Sequence, residues 1–171
     1  WMNICSVILA AGQGTRMKST LPKVLHPLLG RPMLQYALDT AAAVSQEQPV
    51  VIIGHGASQI EQAFNGKARF VLQAPQLGTG HAVQQAEALL RDAADYVVVT
   101  YADMPLLTIE TLQRVVQAQK ANSGPMTMLS VMVDDPRGFG RIVRATDGHV
   151  IAIVEEAQAT PEQQAVRELN V

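Results

Sequence analysis

The sequence predicts an α/β fold, a mostly parallel sheet with helices on both faces. Three observations carry this expectation. Short apolar runs alternate with segments of helical periodicity, the run at 50–53 is apolar throughout, as in strands buried on both faces, and polar clusters follow three of the runs. At 171 residues, 48% of them hydrophobic, the chain is long enough for one domain with a proper core.

Taken in order, residues 6–10 read as a buried strand that leads into a glycine loop. An apolar-periodic helix is expected over 32–43, with Pro32 in its first turn, where a missing N–H costs nothing. Residues 50–53 form the second strand, stopped by Gly54-His55-Gly56, and 58–64 the next helix. A short third strand spans 70–73, a helix 78–90, and a fourth strand 96–101. Thr108 caps a helix running to about Lys120. Residues 126–133, 141–144 and 149–154 read as strands, the last two joined through Asp147-Gly148. No internal repeat or low-complexity linker interrupts the series.

Composition narrows the function. Charged residues make up 16% and the formal net charge is −2, so no basic surface argues for a nucleic-acid partner. No apolar run approaches the roughly 20 residues that cross a bilayer, and no basic stretch precedes an apolar one at the start, so the expectation is a cytoplasmic protein without a membrane partner. Cys5, the single cysteine, excludes an internal disulfide and a cysteine-rich zinc site, and reads as a small buried residue. Trp1, ahead of Met2, reads as a leftover without function.

The chemistry gathers where strands end. Leu9-Ala10-Ala11-Gly12-Gln13-Gly14-Thr15-Arg16-Met17, followed by Pro22-Lys23, places a glycine loop and two cations behind the first strand. Glycines bring backbone N–H groups against an anion, and a following helix N-terminus would add its positive end. A Walker A loop is excluded because no Gly-Lys-Ser/Thr occurs, and the dinucleotide fingerprint because Met17 stands at its third glycine. Gly-x-Gly by itself also marks a plain tight turn. Asp103, after the fourth strand, is a hard oxygen ligand suited to Mg²⁺, or else a turn cap. Arg16 offers a planar fork for phosphate oxygens and Lys23 a mobile point charge; both types also serve as ordinary surface cations. Gln73-Ala74-Pro75-Gln76-Leu77-Gly78-Thr79-Gly80-His81 joins amides to glycines, a combination suited to the edge of a base. His26, His55, His81 and His149 lack metal-ligand spacing and read as structural or surface residues. No Gly-x-Ser-x-Gly elbow exists.

These motifs, with Leu21-Pro-Lys-Val-Leu25, Tyr101-Ala-Asp-Met-Pro-Leu106, Pro136-Arg-Gly-Phe-Gly-Arg-Ile142 and Ile153-Val-Glu-Glu156, resemble the sugar-nucleotide pyrophosphorylases over essentially the whole chain. Within them the sequence is most similar to the uridyltransferase domain of bacterial bifunctional N-acetylglucosamine-1-phosphate uridyltransferase/glucosamine-1-phosphate acetyltransferases. The resemblance implies a Rossmann-like nucleotidyltransferase fold. It also implies formation of UDP-N-acetylglucosamine, a cell-wall precursor, and pyrophosphate from UTP and N-acetylglucosamine 1-phosphate, with Mg²⁺ as cofactor.

Carried over by position, the resemblance implies that Leu9, Ala10, Ala11, Gly12, Gln73, Gly78 and Thr79 hold the uridine nucleotide. Arg16 and Lys23 would be catalytic cations on the triphosphate and departing pyrophosphate, and Asp103 the metal ligand. Tyr101, Ala102, Gly140, Glu155 and Asn170 would line the sugar-nucleotide site. Two departures stand out. Ala102 replaces a common glycine, and the chain ends at Asn170-Val171, ahead of the family's second metal-ligating Asn and of the β-helix that transfers acetyl groups and normally drives homo-oligomerisation. The expectation is the first part of a uridyltransferase domain with an exposed apolar patch. A sister specificity for another sugar phosphate or nucleotide would keep the first loop and Asp103, although residues 73–81 argue against it. A catalytically silent nucleotide-binding module is the remaining alternative.

Overall fold

A computed structural model describes residues 2–170; Trp1, read above as a leftover, lies outside them, as does Val171. Where composition led to an expectation of one domain, the chain divides into two compact units, Trp1–Val116 and Gln117–Val171. The first contains β1 (Ile4–Leu9), β2 (Pro27–Leu28), β3 (Arg31–Pro32), α1 (Met33–Ala42), β4 (Val50–Ile53), α2 (Ala57–Ala63), β5 (Arg69–Leu72), α3 (Thr79–Gln85), α4 (Glu87–Leu90), β6 (Tyr96–Tyr101) and the start of α5 (Ile109–Ala121).

Its main sheet has the order β5-β4-β1-β6, every pair parallel. The period of two along a strand divides the apolar runs between two faces. Ile8, Val51 and Ile53 pack with Leu34, Ala37, Leu38 and Ala41 of α1 and with Ile60 of α2. Cys5, Val7, Val50 and Ile52 pack with Ala82, Ala86 and Leu90 on the opposite side. Ile4 and Val98 meet Leu112 and Val116 of α5. The expected Rossmann-like sheet with helices on both faces is therefore present, and Cys5 is buried as expected. Val97 and Val99, in register with Cys5 and Val7, are each 41% exposed.

Three local expectations change. The glycine loop does not run into a helix: only one 3-10 turn, Thr15–Met17, follows, and it stops at Lys18, whose φ of 48° leaves the helical region. The next α-helix begins at Met33, after a second 3-10 turn (Lys23–Leu25) and the β2–β3 hairpin, whose tip holds Leu29 and Gly30 at φ 49° and 80°. The helix expected over 78–90 is broken at Ala86 into α3 and α4. Thr108 does cap α5, its Oγ1 accepting from the Thr111 N–H at 3.2 Å.

The second unit contains β7 (Ser130–Met132), β8 (Arg141–Arg144), β9 (Val150–Val154), α6 (Pro161–Gln164) and β10 (Glu168–Asn170). These strands form an antiparallel sheet in the order β7-β10-β8-β9. The strand expected over 126–133 shortens to three residues, and β10 was not foreseen. The Arg141 side chain is 1% exposed; it donates to the carbonyls of Phe139 and Gln164 and faces Glu156 at 3.4 Å, so one buried guanidinium joins β8 to α6 and to the 3-10 turn Glu156–Gln158. Thr160 and Gln163 close a capping box at the start of α6. Among the described residues no helix is long and apolar enough to cross a membrane.

Glu168 ties β10 to its neighbours. Arg144 grips its carboxylate with two bonds of 2.6 and 2.7 Å, and the Ser130 hydroxyl donates to it at 2.7 Å. The Arg144 bonds first, then Ser130, hold the Glu168 carboxyl down at about 2. A carboxyl depressed on folding adds stability that is complete above the unfolded value of 4.5 and is lost as pH falls towards 2. In urea unfolding, Glu168→Gln should therefore trail the parent protein most above pH 4.5, with the gap closing between 4.5 and 2. A gap constant across that window would contradict this role.

Candidate active site

Sequential strands lie to one side of β1 as β4 and β5, and β6 lies on the other, so the strand order reverses between β1 and β6. In parallel sheets the crevice at such a reversal, outside the carboxyl ends, is where ligands sit. A cavity of about 690 Å³ occupies this position. Leu9, Ala10, Ala11, Gly12, Arg16, Lys23, Gln73, Gly78, Thr79, Tyr101 and Asp103, all singled out from the sequence, line it.

The strand ends are locked together before the loops begin. Leu9 and Tyr101 are register partners, the Ala102 N–H donates to the Leu9 carbonyl at 3.0 Å, and the Ala10 N–H to the Ile52 carbonyl at 2.9 Å. Beyond Ala10 the one further backbone bond across the strand exits runs from the His55 N–H to the Ala11 carbonyl at 3.4 Å. The amides of Ala11, Gly12, Gln13 and Gly14 donate to no protein acceptor among the described residues. Backbone N–H groups left unpaired beside a cavity are available to a ligand's acceptor atoms.

Two glycines position the cation. Gly14 has φ 61°, and a Cβ there would stand 2.7 Å from the Lys23 Cβ; Gly56 has φ 69°, and a Cβ there would stand 2.3 Å from the Pro22 Cγ. The missing side chains let Pro22-Lys23 fold back against the loop, which brings the Lys23 Nζ to 2.5 Å from the Asp103 Oδ2, across 80 residues of sequence. Both side chains are partly exposed, at 30% and 41%, so the pair is accessible from solvent and its contribution to stability is small. Arg16, exposed on the 3-10 turn, enters none of the ion pairs among the described residues. With Arg16 and Lys23 against Asp103, the cavity carries net positive charge.

Across the cavity, Gln73 is 4% exposed. Its Nε2 donates to the Gly78 carbonyl at 3.1 Å and lies 3.0 Å from the His81 Nδ1. His81 is thus structural, as expected. Gln76 spans to the first loop, its Nε2 donating to the Ala11 carbonyl at 2.6 Å, where Gly54 leaves room for it. Sequence reasoning quoted Gln76 within its motif without assigning it a place; only the fold reveals a partner 65 residues away.

The remaining expected residues divide. Ala102, expected at the sugar-nucleotide site, is 1% exposed within the α1-side core and does not line the cavity, so the methyl that replaces the common glycine is core packing. Gly140 and Asn170 are neighbours in the second unit: a Cβ on Gly140 would stand 2.6 Å from the Asn170 Oδ1. Glu155 is exposed, ahead of the 3-10 turn Glu156–Gln158. Asp103 is a lone carboxylate, since no group of three His, Cys, Asp or Glu able to hold a metal occurs among the described residues. One exposed carboxylate beside a phosphate cradle fits Mg²⁺ that retains water and phosphate ligands.

The fold and the site together define an α/β protein with a cavity, edged by unbonded loop amides and a lysine–aspartate pair, at the strand-order reversal of a parallel sheet. The chain belongs to the MobA-like NTP transferase family, whose domain profile matches residues 6–167. It is 52% identical over 170 residues to the bifunctional protein GlmU of Burkholderia lata, and 51% identical over 165 residues to that of Cellvibrio japonicus. These alignments cover 99% and 96% of this chain and 36% of each relative, so the chain spans about a third of their length. The resemblance drawn from the motifs is borne out. Among solved structures, a UDP-glucose pyrophosphorylase complexed with UDP-glucose superposes with a TM-score of 0.72 at 20% identity, covering all of this chain and 74% of that one, a likeness of fold.

The two kinds of glycine make a direct comparison. Gly14→Ala should destabilise the protein by about 1–3 kcal/mol, because it combines a left-handed backbone with a clash against Lys23. Gly12, with nothing within 4 Å of its Cβ position, should accept alanine within about 1 kcal/mol. Urea midpoints for the two variants check this, and equal losses would sink the steric account of the Lys23 position.

Proposed function

We propose that the chain carries a uridylyl-transfer site that joins UTP to N-acetylglucosamine 1-phosphate, giving UDP-N-acetylglucosamine and pyrophosphate. The observation carrying this reading is the union, in one cavity, of unbonded loop amides, the Lys23–Asp103 pair and a glutamine amide with only an acceptor left to offer.

The polarity of that amide supports uracil. With its N–H groups turned to Gly78 and His81, Gln73 has Oε1 left as an acceptor, and the Gly78 N–H donates to nothing among the described residues. Uracil complements this edge, since its N3–H is a donor and its O4 an acceptor. Cytosine would oppose a lone pair to Oε1 and an amino group to the Gly78 N–H. Family membership supports nucleotidyl transfer. The acetylamino sugar rests on the motif resemblance, which assigns its side of the site to Gly140, Glu155 and Asn170.

The chemistry asks little covalent work of the protein. A phosphate oxygen of the sugar phosphate, already an anion, attacks the α-phosphorus in line; the bond from that phosphorus to the bridging oxygen breaks, and pyrophosphate leaves with the electron pair. No general base is required. The residues 11–14 amides and the Arg16 fork meet charge that builds on the phosphates, while Lys23 follows the departing pyrophosphate. Asp103 would hold Mg²⁺ arriving with the triphosphate, which supplies further neutralisation of phosphate charge.

Calorimetric titration with UTP and with ATP, each with and without Mg²⁺, tests the reading, together with pyrophosphate release on adding N-acetylglucosamine 1-phosphate. UTP-selective, Mg²⁺-sensitive binding with release is expected; binding without release would restrict the chain to a nucleotide-binding module, and no binding would defeat the site. Arg16→Ala should lower turnover by about 10²–10³-fold. Unchanged kcat with only a raised KM would deny Arg16 a role in the transition state.

A further inference from the structure

His81 stands beside Gln73, where the uracil reading has it take up one of the Gln73 N–H groups. We propose that His81 is the positioning residue that sets the base specificity of this site, by holding the Gln73 amide in the orientation that presents its oxygen to the base. The inference rests on the uracil reading and assigns the source of its selectivity.

A carbonyl oxygen can only accept, so the Gln73 atom 3.1 Å from the Gly78 carbonyl is the amide nitrogen. That contact uses one of its two hydrogens. The other meets the His81 Nδ1 at 3.0 Å, and for the contact to be a hydrogen bond Nδ1 must be the acceptor. Gln85 stands on the far side of the ring, its Nε2 donating to the His81 carbonyl at 3.1 Å; with Nδ1 accepting, the ring Nε2 carries the proton, so its 3.2 Å separation from the Gln85 Nε2 is a donor–donor contact and not a hydrogen bond. Gly78 holds the loop in turn, its carbonyl also accepting the Ala82 N–H at 3.1 Å.

Rotating the Gln73 amide by half a turn would set its oxygen against the Gly78 carbonyl and against Nδ1, two acceptors, and would leave N–H groups facing the cavity. That rotated form matches the N3 lone pair of cytosine. Two part-buried hydrogen bonds separate the forms, and His81 supplies one of them. Asparagine places its Oδ1 close to the position of Nδ1 and preserves the acceptor; phenylalanine fills the same space and offers none.

The test is calorimetric titration of the 171-residue chain, His81→Phe and His81→Asn with UTP, CTP and inorganic pyrophosphate, with circular dichroism melts to establish folding. His81→Phe should lose about tenfold in UTP-over-CTP preference, with pyrophosphate affinity unchanged because the amide cradle is untouched. His81→Asn should keep most of the preference. If the parent prefers UTP and folded His81→Phe prefers it equally, the inference is overturned while the uracil site stands. If His81→Asn loses as much as His81→Phe, the ring's shape and not its acceptor matters, and the inference is likewise overturned. Equal affinity of the parent for UTP and CTP would overturn the uracil reading itself, and this inference with it.

Discussion

Burial of β1 on both faces, with hydrogen-bonded neighbours along both edges, is the constraint on which the first unit depends. Cys5 and Val7 are fixed by one helical layer and Ile4 and Ile8 by the other, so the strand has no freedom to slide or rotate. Its carboxyl end is consequently a rigid point, and the Leu9–Tyr101 register transmits that rigidity to β6. The loops that leave this edge are free to be irregular because the strands beneath them are not. The cavity is in this sense a by-product of the sheet: it sits where neighbouring strands diverge into loops running in opposite directions.

The loop chemistry follows from omission as much as from what is present. The first loop lacks side chains at Gly12 and Gly14, the second strand exit lacks them at Gly54 and Gly56, and in three of these positions the vacated space is taken by a named neighbour: Lys23, Gln76 or Pro22. Each replacement brings a distant segment against the first loop. The first glycine loop, Pro22-Lys23 and the Gln76 side chain are therefore packed together by close backbone approach.

Much of the first unit was legible in the sequence. The bounds of β4 and β6 were readable because their apolar runs end abruptly at glycine or at a charged residue. The hairpin β2–β3 was not, since Pro27 and Pro32 leave two-residue strands without alternation. β10 escaped because Glu168-Leu169-Asn170 holds one apolar residue and gains its place from Arg144 and Ser130. At the site, residue types were readable and pairings were not: nothing in the chain announces that Lys23 meets Asp103 or that Gln76 reaches Ala11. The course of the first loop was not legible either, because the glycine letters are compatible with a helix start or a free loop, and Lys18 at φ 48° decides for the loop.

The Gln76–Ala11 hydrogen bond joins the loop that would recognise the base to the loop that would carry the phosphates. Under the proposed function the two ends of the nucleotide are then read by one mechanical unit. A base that seats badly displaces Gln76, and through the Ala11 carbonyl it disturbs the amides that align the α-phosphorus for attack. Discrimination between nucleotides is thereby expressed in kcat as well as in affinity, so a poor donor that does bind is also slow to react.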